Sequence, residues 1–92
     1  MRRLRSFETC IANPNSMVEG VEKGTGDRTL IIKGEAYEGE DSLVLKEGDD
    51  FCFLRRGAFY DAVLVDWNVD EATLIDEDED PIILTTIAVI GR

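Results

Sequence analysis

Histidine is missing from all 92 residues. That removes the usual general base near neutral pH and the commonest metal ligand, and with them Ser–His–Asp and Cys–His arrangements and most zinc sites. Cations are scarce, with 10 Lys plus Arg against 20 Asp plus Glu and a net charge of −10. Affinity for DNA or RNA comes largely from cations that neutralise phosphates, so no direct nucleic-acid partner is expected. Two cysteines, Cys10 and Cys52, are too few for a disulfide scaffold, and free buried thiols are the expectation. No stretch reaches the ~18 apolar residues of a membrane helix. The opening MRRLRSFETC has the positive start of a secretory leader without the apolar run that should follow,. The chain reads as soluble and not secreted, with no membrane partner.

Reactive motifs are equally thin. Ser6, Ser16 and Ser42 lack a nucleophile-elbow context, and GTGDRT is a turn, neither a dinucleotide fingerprint nor a phosphate loop,. Twenty acids leave a carboxylate pair arithmetically available, but a domain this small has little room for a cleft that raises one pKa. No catalytic residue, cofactor or metal is assigned, and the chain is not expected to be an enzyme. The acidic run Asp76–Asp80 offers hard oxygen donors. It lacks the glycine and the terminal bidentate glutamate of an EF-hand loop, so a solvated loop with weak cation attraction is expected there.

What is present is a folding composition. Hydrophobic residues make up 43% and charged residues 33% of the chain, outside the disordered range. A chain this short forms one domain with a small core and buries roughly 60–65% of its unfolded surface. From residue 17 on, apolar runs recur every eight to twelve residues between Gly and acid clusters, the spacing of a small β-barrel or sandwich,. Strands are predicted at 29–33, 42–46, 51–54, 59–65 and 82–90, separated by GTGD, EGED, EGDD and RRG turns,. Residues Val65, Val69, Ala72 and Ile75 fall on one helical face, and Asp70 suits an N-cap, which allows one helical turn near 70–75,. The segments 27–39 and 49–62 echo one another at a shift of 23 residues, pairing Gly34 with Gly57 and Tyr37 with Tyr60. Two hairpins with the same turn chemistry explain that echo as simply as a duplicated unit does.

Both ends of the chain point to partner contacts. Residues 1–16 carry Arg2, Arg3 and Arg5 with no acid before Glu8 and end in the turn signal NPNS,. They read as an arm ahead of a β-domain at 17–92, which is either a frayed terminus or a basic arm that docks on an acidic neighbour. At the other end, IILTTIAVI is β-branched and uncharged, the signature of an aggregation-prone strand,. Its near-continuous apolarity suggests burial on both faces, more cover than so small a domain supplies alone. The acids and Pro81 before it, with Arg92 after it, act as gatekeepers against wrong pairing. Ile83, Ile87 and Val89 are therefore candidate subunit-contact residues. Phe51, Phe53 and Phe59 are expected in the core, and Trp67, between Asp66 and Asn68, is the candidate exposed contact aromatic.

The stretch FCFLRRGAFYDAVLVDW, residues 51–67, resembles the strand–Gly–x–Phe–strand–Trp segment of tailed-phage head decoration proteins, with Gly57, Phe59, Val63, Leu64 and Trp67 in those positions and ILTTIAVIGR as the last strand. The resemblance covers about forty residues. It implies a non-enzymatic protein that assembles, commonly as trimers, on the major capsid protein and clamps the shell, often through an N-terminal arm. EGDDFCFLRRGAFYDAVLV also resembles a Tudor or SH3-like small barrel, in which Phe59, Tyr60 and Trp67 would line a ligand groove. An acidic chain of that kind would act as a DNA mimic that inhibits a nucleic-acid-binding protein. The expectation is thus an all-β barrel or sandwich of five to seven short strands. Its expected role is that of a homo-oligomeric virion assembly module in the virion or host cytoplasm, with an acidic binding module as the alternative.

Overall fold

The computed structural model describes residues 10–37, 39–68, 71–76, 78–85 and the backbone of 89–91. Those residues form one all-β sheet of eight strands: β1 (Cys10–Val21), β2 (Arg28–Tyr37), β3 (Glu40–Leu45), β4 (Asp50–Arg55), β5 (Ala58–Trp67), β6 (Glu71–Ile75), β7 (Pro81–Thr85) and β8 (Val89–Gly91). Their spatial order is β3-β2-β1-β4-β5-β6-β7-β8, so the ladder begins at β3, ends at β8 and does not close. Every neighbouring pair is antiparallel except β1 and β4, which run parallel over Cys10–Ala12 and Cys52–Leu54.

β1 joins the two halves of this sheet. Cys10–Ala12 pair with β4, and from Ala12 to Val21 the strand pairs with β2, with an irregularity between Ala12 and Ser16. Asn13 takes φ 48 at that break, a left-handed conformation that Asn tolerates better than most residues. Gly34 of β2 lies against the same break. A Cβ there would stand 2.5 Å from the Ala12 carbonyl oxygen and 3.0 Å from Pro14 Cα, so only glycine lets the two backbones approach,.

Turn chemistry sets the registers. Arg56 and Gly57, both at positive φ, join Arg55 to its partner Ala58 as the two-residue type I′ loop that suits strand twist,. Between β3 and β4, the Asp49 amide donates to the Lys46 carbonyl and the Lys46 amide to Asp49 Oδ2 at 2.8 Å, with Gly48 at φ 95. The run IDEDEDP is the β6–β7 hairpin loop. There Ile75 pairs with Pro81, and Asp76 Oδ1 accepts the amides of Asp78 and Asp80, each at 2.9 Å. The densest charge in the chain thus sits where a tight loop must face water.

The core is a single cluster drawn from β1 to β7, with Ile11, Leu30, Ile32, Phe51, Phe53, Leu64, Leu74 and Leu84 near its centre. Leu30 and Ile32, like Leu43 and Leu45, alternate inward along their strands as period-2 geometry requires,. Cys52 is buried between Phe51 and Phe53 in sequence, on the opposite face of β4, beside its register partner Cys10. No disulfide joins the two.

Several expectations are corrected. The boundary drawn at 16/17 falls inside β1, so the sheet reaches back to Cys10. The turn signal NPNS is the bend of a central strand instead of a linker. The helical turn near 70–75 is strand β6 from Glu71 onward, with Ala72 and Leu74 buried at period 2; Val69 and Asp70 lie outside the described residues. The final apolar stretch is not one strand buried on both faces. It supplies β7 and β8, which pair with each other, and Ile82 and Leu84 of β7 are buried inside the single chain while Ile83 is half-buried. The all-β class itself holds; the ladder has eight strands because the last stretch divides and β1 and β6 join those predicted. The internal echo does not survive either, since Gly34 sits within a strand and Gly57 in a turn.

Candidate functional surface

On the outer face of β1, β2 and β3, Val18 pairs with Ile31 and Ile31 with Val44. Directly opposed side chains on one sheet face stand about 5 Å apart, so these three form a continuous apolar row. Val18 is 53% and Val44 64% exposed. Single exposed apolar residues are ordinary; two of them aligned across a half-buried Ile31 on a highly charged protein make this face a candidate contact surface,.

The row borders a shallow groove of about 280 Å³, walled by Val21, Ile31 and Val44 over Gly20 and Thr29. Gly20 is not at positive φ, so its place in β1 is a matter of space. A Cβ there would stand 3.0 Å from Thr29 Oγ1 and 3.4 Å from Ile31 Cδ1. Glycine within a strand commonly marks close approach by another group. The volume falls below the ~300–1,000 Å³ of small-molecule sites and fits one apolar side chain. At the groove's end Lys46 Nζ bonds Glu22 Oε1 at 2.9 Å and lies 3.6 Å from Asp27. That bond raises the Lys46 pKa and lowers that of Glu22.

Beside the groove, around a hollow that Asp27, Arg28, Lys46 and Trp67 line together, a second cluster ties β1 and β2 to the end of β5. Trp67 Nε1 donates to Glu19 Oε1 at 3.0 Å, and the Arg28 guanidinium lies over the indole at 4.3 Å from the ring centre. Arg28 also donates to both Glu19 carboxylate oxygens at 3.3 Å and approaches Asp66 at 3.6 Å. The Arg28 bond, followed by that from Trp67, holds the Glu19 carboxyl below its ordinary value.

The residues singled out from the sequence are placed as follows. Trp67 is 7% exposed and belongs to the core cluster, so it is not the exposed aromatic expected. A β-bulge between Leu64 and Asp66 inserts one residue into β5, and inward positions shift from Ala62 and Leu64 to Trp67,. Phe59, expected in the core, is 50% exposed and meets Tyr37 edge to face at 5.6 Å. Tyr60 instead stacks on Phe53 at 4.9 Å. Phe59 and Tyr60 begin β5 and Trp67 ends it, so the three do not form a common groove. Ile83 is half-buried on β7, opposite Thr73 and Ile90. Arg2, Arg3, Arg5, Ile87 and the side chain of Val89 lie outside the described residues.

The carboxylates of Asp76, Asp78 and Asp80 come within 4.8 Å of one another, but Asp76 already caps two amides of its own loop. Among the described residues no helix is long and apolar enough to cross a membrane. The Val18–Ile31–Val44 row went unnoticed in the sequence although its signal was there: the outward residue in both TLIIK and SLVLK is apolar where a solvated strand would be polar,. No family model, curated protein or solved structure matches this chain.

Proposed function

We propose that this chain is a non-enzymatic structural protein that works by protein–protein contact, as an assembly component of a virion, in the virion or the host cytoplasm. The major capsid protein or other assembly subunits are its partners, with contacts between copies of the chain itself. The observation that carries the reading is the exposed apolar row Val18–Ile31–Val44, which runs to the end strand of an open ladder. Such a row on a chain of net charge −10 supplies the apolar centre and charged rim of an interface. The resemblance to head decoration proteins narrows the assembly to a capsid.

The test is co-sedimentation of purified protein with virion shells lacking it. Saturable binding at a fixed stoichiometry supports the reading, and protein that stays in the supernatant at every concentration contradicts it.

A second reading, an acidic mimic that inhibits a nucleic-acid-binding protein, draws on the engagement of both Arg28 and Lys46 by two carboxylates each. Salt-sensitive competition with DNA for a basic protein distinguishes this reading from capsid binding.

A further inference from the structure

We propose that the free edge of β3 takes up an extended segment of a partner protein, in which apolar residues alternate with Lys or Arg, as an added strand of the sheet. The proposal rests on the reading of the chain as a protein-binding module and specifies where the contact lies and what it recognises.

β3 ends the ladder, and among the described residues it pairs only with β2. In an antiparallel pair alternate residues direct their N–H and C=O away from the neighbour, so one side of Glu40–Leu45 presents a ready backbone template. A strand laid there places every second side chain on the outer face beside Val44, extending the Val18–Ile31–Val44 row by one position,. The groove between Val21, Ile31 and Val44 receives an apolar side chain. Main-chain bonds supply affinity and such pockets supply selectivity in strand addition.

Charge decides the occupant. Glu40 and Asp41 are exposed at one end of the edge, and Glu47 is exposed just past the other. A second β3 would meet these acids in either orientation. Parallel pairing sets Glu40 beside Glu40, and antiparallel pairing sets Glu40 near Glu47, on chains that each carry −10. A segment with Lys or Arg flanking its apolar residues turns the same acids into attraction.

The experiment uses the full ¹⁵N-labelled chain and four synthetic peptides: a Lys–Val alternating hexapeptide, its Glu–Val counterpart, and versions of the Lys–Val peptide N-methylated at alternate residues in each of the two phases. The expected result is binding of the unmodified Lys–Val peptide, weakened by salt, with amide-exchange protection gained along Glu40–Leu45. The Glu–Val peptide and one N-methyl phase should fail to bind. Val44→Asp should weaken binding about tenfold, the scale of losing an interface anchor. Val44→Thr, which keeps the branched shape, should weaken it less.

Equal binding of both N-methylated peptides, or protection at 76–80 instead of β3, would overturn the proposal. So would protection of β3 by self-association without peptide, which assigns the edge to a second copy. A chain that binds shells but ignores the Lys–Val peptide refutes only the edge proposal. One that binds the peptide but no shell refutes only the virion reading.

Discussion

The Arg28 guanidinium lies over the Trp67 indole at 4.3 Å, and Arg28 Nη2 donates to the Trp67 carbonyl at 3.3 Å. The contact closes β2 onto the far end of β5, 39 residues along the chain, while Glu19 of β1 bonds both residues. A flat eight-stranded sheet keeps those elements apart; the curled one brings them together around the core. Arg28→Lys keeps the charge but removes the planar guanidinium that stacks on the indole and donates at several points at once, so the denaturation midpoint should fall. Trp67→Phe should cost about 1–2 kcal/mol through lost volume and the lost indole bond. Urea unfolding of each variant checks both.

The same cluster sets a pH dependence. Glu19 titrates below its ordinary value of 4.5 in the folded chain, chiefly because Arg28 bonds its charged form. Its contribution is therefore full above 4.5 and lost as pH falls through the lower folded value. Lys46 runs the other way. Its pKa is raised above 10.5, chiefly by Glu22, and its contribution is lost only as pH climbs through that raised value. The stability gap between wild type and Glu19→Gln should be constant near neutrality and narrow in acid. A gap that widens in acid contradicts the assignment.

β7 should show one buried and one half-open face. Leu84→Ala should cost about 2–4 kcal/mol, as a fully buried leucine does,. Ile83→Ala, at a half-buried position, should cost clearly less. Equal costs would restore the idea of a strand covered on both sides. Equilibrium unfolding of the two variants decides the point.

Gly34→Ala should destabilise at the upper end of the ~1–3 kcal/mol typical of overpacking, because its Cβ meets backbone atoms of Ala12, Asn13 and Pro14 instead of a movable side chain. Thermal melts read this directly. A variant as stable as wild type would show that β1 and β2 do not approach so closely at the bend.

Cys10 and Cys52 should resist a thiol-specific reagent in the native protein and react together on denaturation. Both are buried, and burial pushes the Cys52 thiol up, holding it in its unreactive protonated form,. Fast native labelling of either thiol contradicts that placement.

The legible part of the fold was local. TLIIK, SLVLK, FCFL and the FYDAVLV stretch carry β-branched and aromatic residues between Gly-rich turns, and each became a strand. β1 was hidden because Pro14 and two asparagines interrupt it, features that read as a turn until Gly34 across the sheet accommodates the bend. β6 was ambiguous because the apolar spacings of four and three residues fit a helix while Ala72 and Leu74 also fit a strand of period 2, and only pairing with β5 and β7 settles the period,. Trp67 was misjudged for a related reason: strict alternation points it outward, and a single bulged residue turns it in. The outer row depends on register between three strands, which no single segment encodes.

The most direct measurement is recovery of the native assembly through a tagged chain, comparing wild type with Val44→Asp. Both should show the same circular dichroism, and Val44→Asp should stay folded with its midpoint lowered only by the lost cross-strand contact with Ile31, because Val44 is exposed,. Wild type should come out in a fixed-stoichiometry complex and Val44→Asp alone. Recovery of the variant with the same partners in the same proportions would contradict the assignment of β1–β3 as the contact surface.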